Sequence, residues 1–286
     1  MSQHARTLYI SDLDGTLLNE KSRISATTAN VINQLIDDGM LFTIATARTP
    51  ATVVELMKEV NISLPVILMT GALLYDIKSN KYLHISSFDT DVSARLIDVI
   101  AGYGISPMVY YVDNSVLCVN YRRPITNRQR YFIAQRNGTP FKKYVEVKEH
   151  PTAPPTTVLI FFMGNYDKLK VIYDAISDIE GHCSYLYYDN ILEDQGYLEI
   201  YPSGTSKANA IERLAREINV DEIVSFGDNL NDIPMFEISH RCYAMDNAVD
   251  EVKLYATDII DSNMDDGVAR FLWNENKKEE LPPLVL

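Results

Sequence analysis

Cysteine is scarce in this chain, and the few cysteines are far apart. The 286-residue sequence has only three, at Cys118, Cys183 and Cys242. An odd number of widely separated thiols does not fit a disulfide framework, and the spacing does not fit a zinc site. We therefore expect a protein of the reducing cytoplasm whose thiols are buried and structural.

Long hydrophobic runs are absent as well. No stretch reaches the roughly 18 consecutive apolar residues that a membrane-spanning helix requires. Residues 1–6 lack the basic segment and the apolar stretch that mark a secretory signal. The sequence thus predicts a cytoplasmic protein with no membrane partner.

Positive charge is in deficit. The chain has 26 lysines and arginines against 39 aspartates and glutamates, which gives a formal net charge of −13. Nucleic-acid binding requires clustered basic residues, so this balance excludes a nucleic-acid partner. An anionic small molecule is not excluded, because a metal ion, a lysine and converging backbone N–H groups reverse the sign of a site locally.

Apolar residues are abundant, and their pattern predicts the fold class. They make up 47% of the 286 residues, which is enough for one large domain or for two. At both ends of the sequence, short apolar runs such as residues 41–46 alternate with amphipathic stretches such as residues 25–39. Gly39 is placed to end that helix in a left-handed conformation. This alternation is typical of an α/β fold with a parallel sheet flanked by helices.

The middle of the chain has a different character, richer in tyrosine and in short alternating strands. The predicted strands are residues 108–112, 116–119, 156–163 and 184–188, and the predicted helices are residues 91–103 and 166–179. We interpret residues 85–194 as an inserted α/β domain. Residues 1–84 and 195–286 then form the two parts of the core, and a strand at residues 197–201 opens the second part.

The residues with the clearest chemistry follow the first apolar run. Asp12 and Asp14 stand one residue apart and are followed by Gly15 and Thr16. Alternate residues of an extended chain point the same way, so the two carboxylates converge at the end of a strand. They suit a hard cation such as Mg²⁺, or a division of labour between a nucleophile and a general acid–base catalyst. A polar turn that caps the next helix is the alternative.

Three further polar segments follow apolar runs or open a helix. Thr46-Ala47-Arg48 ends the strand predicted at residues 41–46. Ser206-Lys207 opens a predicted helix, with the serine as its N-cap. Gly227-Asp228-Asn229-Leu230-Asn231-Asp232 follows the apolar run at residues 223–226. Taken singly, each segment also fits an ordinary strand residue, a solvated helix charge or a polar capping loop.

Together and in this order, the four segments resemble the motifs of the haloacid dehalogenase superfamily. The first, Asp12-Leu13-Asp14-Gly15-Thr16, is similar to the opening signature of that family. The long interval between the second and the third resembles the Cof-type branch, which has a C2 (type IIB) cap. The resemblance implies an α/β fold with a Rossmann-like parallel sheet core and an inserted α/β cap domain that selects the substrate.

The resemblance also implies a role for each candidate residue. Asp12 is expected to be the nucleophile that forms an aspartyl-phosphate, with Asp14 as general acid and base and Lys207 as the third catalytic residue. The residues assigned to the phosphoryl group are Thr46, Ala47, Lys207 and Asn231. The residues assigned to Mg²⁺ are Asp12, Asp14 through its backbone carbonyl, and Asp228. Asp232 is expected not to bind the metal directly but to orient a metal-bound water or Lys207.

The sequence departs from the family pattern at three positions. Ala47 and Ala208 stand where glycine is usual, and Thr70 stands where asparagine is usual. Arg48 contacts the substrate or the cap, or makes only a surface ion pair. These departures concern the positioning of the substrate, and they leave every catalytic group in place.

We accordingly expect an Mg²⁺-dependent phosphomonoester hydrolase of small phosphorylated metabolites, such as sugar phosphates, pyridoxal phosphate (PLP) or flavin mononucleotide (FMN). The alternatives are a phosphomutase-like enzyme and a regulatory module that binds phosphorylated ligands without turning them over. Turnover of a generic aryl phosphate distinguishes the enzymes from the module. The expected partner is the small-molecule substrate, and the expected assembly is a monomer or a homodimer.

Overall fold

The computed structural model describes residues 6–123, 125–189 and 192–277. The chain divides into two compact units. We call Met1–Leu83 with Ser206–Leu286 the core unit, and His84–Thr205 the inserted unit. Strands and helices are numbered along the whole chain.

The core unit alternates strands and helices, as the sequence predicts. Its strands are β1 (Thr7–Ser11), β2 (Leu41–Ile44), β3 (Val66–Leu68), β4 (Leu73–Asp76), β12 (Glu222–Gly227), β13 (Arg241–Met245) and β14 (Asp258–Ile260), while β5 (Lys81–Ile85) spans the unit boundary. Its helices are α1 (Ala26–Asp37), α2 (Pro50–Leu56), α6 (Lys207–Ile218), α7 (Ile233–Glu237), α8 (Asp250–Lys253) and α9 (Gly267–Lys277).

Five strands of the core unit form a parallel sheet in the order β14-β13-β12-β1-β2. Leu8 and Ile10 on one face of the interior strand β1 are buried, and so is Tyr9 on the other face, as expected for a strand covered on both faces. Strand β2, the next in the sequence, pairs with one edge of β1, and β12, which comes much later in the sequence, pairs with the other edge. Such a reversal of strand order opens a crevice at the carboxyl ends of the strands, where α/β sheets bind ligands.

Helix α1 illustrates how the local sequence determines these elements. The Ser25 hydroxyl oxygen accepts the Thr28 N–H at 2.9 Å and so caps the first turn. Val31 and Leu35 lie on the buried face. The chain leaves the helix through Gly39, whose φ of 97° is the left-handed conformation that the sequence predicts.

The inserted unit is built around a largely antiparallel sheet. Its strands are β6 (Met108–Asp113), β7 (Val116–Arg122), β8 (Lys142–Val147), β9 (Thr157–Asn165), β10 (His182–Tyr188) and β11 (Gln195–Pro202), and its helices are α3 (Thr90–Ala101), α4 (Asn127–Arg136) and α5 (Tyr166–Ile176). The strands lie in the order β10-β11-β9-β6-β7-β8. Of the neighbouring strands, β7 and β8 run parallel.

Helices α3 and α5 share one apolar core with this sheet. The buried residues of that core include Leu96, Ile100, Ile160, Leu169 and Ile172. The predicted fold class, α/β with a parallel sheet core and an additional inserted α/β unit, is thereby confirmed.

Two elements of the inserted unit are missing from the sequence prediction. Helix α4 buries only Ile133 among its residues, so it has no apolar stripe to reveal it. Its signal is the capping box formed by Thr126 and Gln129. Strand β8 begins with Lys142-Lys143, and charged residues are uncommon in strands.

The structure also differs from the sequence prediction at the second unit boundary. The sequence pattern assigns residues 195–286 to the core, whereas β11 pairs antiparallel with β9 and β10 and lies in the inserted unit. The burial of its residues gives the reason. Leu198 and Ile200 are buried, and the alternating Tyr197 and Glu199 are half-buried, as in a sheet with one covered face.

Candidate active site

The polar segments singled out in the sequence converge at the carboxyl ends of neighbouring strands. Ser11, the last residue of β1, aligns with Phe226 of β12 and with Ile44 of β2. The N–H of Asp12 extends the first pairing by donating to the Phe226 carbonyl at 3.0 Å. Because parallel strands end at one edge of the sheet, Asp12 and Asp228 are brought together there.

Lys207 lies between two buried carboxylates. Its Nζ donates to Asp12 Oδ1 at 2.7 Å and to Asp232 Oδ1 at 2.6 Å. Ser206 caps α6 by accepting the Asn209 N–H at 3.1 Å, so the backbone of the first helical residue is fixed and the ammonium group is directed inward. A buried ammonium ion is tolerated only when it is paired and hydrogen-bonded, and this lysine satisfies both conditions.

Asp232 connects Lys207 to the loop after β12. Its second oxygen, Oδ2, accepts the N–H groups of Asp228 at 3.0 Å and of Asn229 at 3.1 Å. Gly227 makes this approach possible, because a Cβ at that position would lie 2.6 Å from Asp232 Cβ. Both carboxylate oxygens are thus committed to protein donors, and the side chain orients Lys207 and the loop.

Three carboxylates form an acidic cluster that suits a cation. One oxygen from each of Asp12, Asp228 and Asp232 lies within 4.8 Å of the others. The Thr16 hydroxyl donates to Asp228 Oδ1 at 2.7 Å. Gly15 leaves space beside that carboxylate, since a Cβ there would lie 2.2 Å from Asp228 Oδ2. Mg²⁺ prefers carboxylate and carbonyl oxygens with water, so this set of donors fits Mg²⁺.

Burial raises the pKa of two of these carboxyl groups. The pKa of Asp12 rises to about 7 through loss of hydration, an effect that Lys207 opposes and Asp232 reinforces. The pKa of Asp228 rises to about 6, again chiefly through burial, while the Thr16 hydrogen bond opposes the change. The pKa of Lys207 is also raised, because the two carboxylates outweigh its own desolvation. A bound cation would stabilise the ionised form of both carboxyl groups.

The side chain of Asp14 is directed to Arg48. Arg48 Nε donates to Asp14 Oδ2 at 2.7 Å, and Arg48 Nη2 donates to Asp14 Oδ1 at 2.5 Å. The Asp14 side chain is 54% exposed, and within the described residues the acidic cluster does not include it. The surface ion pair that the sequence offers as one role for Arg48 is therefore present. Metal binding by the Asp14 backbone carbonyl stays a prediction.

The three residues assigned only to the phosphoryl group differ in exposure. Thr46 is 1% exposed, and its hydroxyl oxygen accepts the Arg48 N–H at 3.2 Å. Ala47 and Asn231 are exposed. Contact between these residues and a phosphoryl group stays a prediction.

A strained turn lies against the start of α6. Met69, Thr70 and Gly71 have φ values of 50°, 56° and 98°, a region that a β-branched residue such as threonine rarely adopts. The Thr70 N–H donates to the Thr46 carbonyl at 3.1 Å. A Cβ at Gly71 would lie 2.1 Å from the Ser206 carbonyl oxygen. The turn therefore joins two segments of the site, and backbone strain of this kind clusters at functional sites.

Two contacts of the site are missing from the sequence prediction. One is the bond from Thr16 to Asp228, for which the position of the threonine inside the first motif was the available signal. The other is made by Asn247, whose Nδ2 donates to the Gly15 carbonyl at 2.8 Å across 232 residues of sequence. Its Oδ1 accepts the Asn263 N–H at 3.0 Å. No local pattern reveals a contact between residues so far apart.

These features define a class of protein. The model of the haloacid dehalogenase-like hydrolase family matches residues 9–272, a range that includes every residue of the candidate site. The chain belongs to this family. The family that the four sequence motifs resemble is thereby confirmed.

The chain is similar to named phosphatases along most of its length. The 5-amino-6-(5-phospho-D-ribitylamino)uracil phosphatase YwtE of Bacillus subtilis is 30% identical over 91% of this chain and 95% of its own. The pyridoxal phosphate phosphatase YbhA of Escherichia coli is 24% identical over 92% of this chain and 96% of its own. A solved structure of a subclass IIB sugar phosphatase of the superfamily has a TM-score of 0.71 and 18% identity, over 94% of this chain and 98% of that chain. This last likeness concerns the fold alone.

Location and assembly rest on the sequence. Within the described ranges, the helices are too short or too polar to cross a bilayer. The cytoplasmic location and the monomer or homodimer stay predictions.

Proposed function

We propose that this chain is an Mg²⁺-dependent phosphomonoester hydrolase that acts on small phosphorylated metabolites through an aspartyl-phosphate. One observation carries the proposal: the Lys207 ammonium group bridges Asp12 and Asp232 inside a cluster that also contains Asp228. A nucleophile, a fixed positive charge and a cation site thus meet at one point. Membership of a hydrolase family supports the same function.

Asp12 is the nucleophile of the first half-reaction. A carboxylate oxygen forms a bond to phosphorus while the bond from phosphorus to the ester oxygen breaks, and Asp14 gives that oxygen a proton. Lys207 favours the ionised form of Asp12 despite its burial and stands beside the transferring group. The Thr46 hydroxyl, with Ala47 and Asn231, holds the phosphoryl oxygens.

Asp14 acts in the opposite sense in the second half-reaction. Now ionised, it accepts a proton from water, and the water oxygen attacks phosphorus. The bond between Asp12 and phosphorus breaks, which releases inorganic phosphate and restores the Asp12 carboxylate. The same residue therefore alternates between acid and base within one turnover.

Mg²⁺ is the cation that the donor set fits. The Asp12 and Asp228 side chains with the Asp14 backbone carbonyl would hold it, because both Asp232 oxygens are committed to Lys207 and to backbone N–H groups. Bound there, the ion would neutralise charge on the transferring phosphoryl group and lower the pKa of the buried carboxyl groups.

The names of the relatives guide the choice of substrates. One named substrate is a phosphoribityl compound and another is pyridoxal phosphate, and both are small phosphate monoesters. We therefore include sugar phosphates, pyridoxal phosphate and flavin mononucleotide among the first candidates. The net charge of −13 disfavours a polyanionic polymer.

Phosphate release from these compounds and an aryl phosphate, measured with Mg²⁺, tests the proposal. We expect release from a subset, loss of at least about a thousandfold in Asp12→Asn, and loss on chelation that added Mg²⁺ restores. Asp37→Asn is the matched control, because it makes the same charge change at an exposed position of α1 and should retain activity.

Two results would decide against the proposal. Substantial turnover in Asp12→Asn contradicts the assignment of Asp12 as the nucleophile. Tight binding of phosphorylated ligands by folded, Mg²⁺-loaded protein without any turnover favours the binding module instead. A phosphomutase-like enzyme would convert a sugar phosphate into its isomer and release little phosphate.

A further inference from the structure

Both side-chain oxygens of the general acid of the proposed reaction are occupied by an arginine. The Arg48 guanidinium meets both Asp14 oxygens, at 2.7 and 2.5 Å. By contrast, Asp12 and Asp228 belong to the acidic cluster. A proton donor turned toward a guanidinium group is not placed to protonate a leaving group, so this ion pair must open before Asp14 acts.

The backbone of Arg48 is fixed while its side chain is partly free. Its N–H donates to the Thr46 hydroxyl oxygen at 3.2 Å, and its carbonyl accepts the Met69 N–H at 3.1 Å. The side chains of Arg48 and Asp14 are 26% and 54% exposed. Because both side chains reach solvent, water can replace each of the two hydrogen bonds, so the pair can open without leaving a buried charge unpaired. The anchored backbone keeps Arg48 close to Thr46, the residue expected to hold a phosphoryl group.

We propose that Arg48 is a phosphate-responsive latch on Asp14. In the resting protein the guanidinium pairs with Asp14; when the phosphoryl group of a substrate arrives, Arg48 moves to its oxygens and releases Asp14. The proposal rests on the proposed function. A guanidinium group binds a phosphate dianion through two parallel hydrogen bonds and more strongly than a carboxylate monoanion, so the exchange is favourable. Arg48 is thus a positioning residue for the general acid as well as a phosphate ligand.

The latch makes phosphate and Asp14 competitors for one guanidinium group. We would measure the affinity for inorganic phosphate by calorimetry, with Mg²⁺ present, in the wild type, Asp14→Asn, Arg48→Gln and the double variant. Asp14→Asn removes a negative charge in either background, but it frees a guanidinium group only when Arg48 is present. The two backgrounds therefore separate the latch from simple charge repulsion.

We expect Asp14→Asn to tighten phosphate binding by about tenfold with Arg48 present and by about twofold or less in the Arg48→Gln background, where only charge repulsion changes. Equal effects in the two backgrounds overturn the latch, and so does a wild type that fails to bind phosphate at millimolar concentration. Arg216→Gln, at a solvated ion pair on α6, makes the same charge change and should leave phosphate affinity as it is. Thermal melts of all the variants check the fold.

Turnover separates the latch from the proposed function. Arg48→Gln should raise KM by a larger factor than it lowers kcat, because the phosphate contact is lost. Arg48→Lys should reverse part of the rise in KM, but the lysine ammonium group cannot make the two parallel hydrogen bonds of a guanidinium group. Coupling of phosphate binding without any turnover keeps the latch and removes the phosphatase. Turnover without coupling keeps the phosphatase and removes the latch.

Discussion

Gly15 and Gly39 have similar backbones in different surroundings, with φ values of 77° and 97°. A Cβ at Gly15 would lie 2.2 Å from Asp228 Oδ2, while a Cβ at Gly39 would have no atom within 4 Å. Gly39→Ala should cost only the strain of the left-handed conformation, about 1–2 kcal/mol of unfolding free energy. Gly15→Ala should cost more and should also weaken Mg²⁺ binding, because Asp228 must move.

Chemical denaturation and Mg²⁺ titration of the two variants measure this difference. Gly39→Ala serves as the control for backbone strain, since it lies at the end of α1, outside the acidic cluster. Unchanged Mg²⁺ affinity in Gly15→Ala would mean that the position of Asp228 does not depend on the glycine.

At this scale the sequence predicts which residues meet but not how each side chain is oriented. The sequence points to Asp12, Lys207 and Asp228 because the four motifs together resemble those of one family, and the positions of these residues after strands or at the start of a helix agree with a common site. The sequence alone does not decide whether Arg48 pairs with Asp14. Both side chains are partly exposed, so several rotamers and partners compete within a small range of free energy.

Helix α6 begins at Lys207, so its N-cap helps to position the ammonium group of that residue. Ser206→Ala and Thr126→Ala each remove a hydroxyl that caps a helix, α6 and α4 respectively. Each change should cost about 1 kcal/mol of unfolding free energy. Only Ser206→Ala should also lower kcat/KM, since loosening the first turn moves the Lys207 ammonium group away from Asp12. Equal losses of activity in the two variants would contradict this account of α6.

Strand β8 contains a buried lysine that should make the free energy of unfolding depend on pH. Lys142 is 3% exposed, and its Nζ lies 4.7 Å from the ring centroid of Tyr110 and 5.0 Å from that of Tyr144. Burial, with Arg136 adding, lowers the pKa of Lys142 from 10.5 to about 7. Between those two values the unfolded chain binds more protons than the folded one, so the free energy of unfolding rises with pH in that window.

Lys142→Met should remove this contribution, so that its unfolding free energy rises less from pH 7 to pH 10 than that of the wild type. Lys143→Met, at the exposed neighbour in β8, is the control and should follow the wild type. Identical pH profiles for wild type and Lys142→Met, measured by denaturation, would show that the Lys142 amine keeps its ordinary pKa in the folded protein.

The elements that the sequence predicted are those with regular apolar patterns. Helix α1 has a cap, a buried stripe and a terminal glycine, and each of these features is recognisable from the residue types in the sequence. Helix α4 buries one residue and β8 begins with two lysines, so neither offers a hydrophobic period. The sequence predicts a strand at residues 197–201 but not its partners, because the pairing of β11 with β9 and β10 is decided by tertiary packing.

On the scale of the whole molecule, one chain passes through the core unit, forms the inserted unit and returns. The long interval between the second and third motifs is the feature of the sequence that predicts an inserted unit, and the compact inserted unit of the structure, His84–Thr205, occupies part of that interval. The net charge of −13 disfavours a nucleic-acid partner, but it gives no information about the site. There, Lys207 and a bound cation decide the local sign.

Trapping the intermediate during turnover is the most direct test of the central claim, that Asp12 carries the phosphoryl group during hydrolysis. A reaction with Mg²⁺ and an aryl phosphate would be quenched in acid, and the peptide containing Asp12 would be analysed by mass spectrometry. The account predicts one phosphoryl group on Asp12, none in Asp12→Asn, and more in Asp14→Asn. An aryl leaving group departs without a proton, whereas release of the phosphoryl group to water still needs Asp14. Turnover with no phosphoryl group on Asp12, or with one on another residue, would contradict the account.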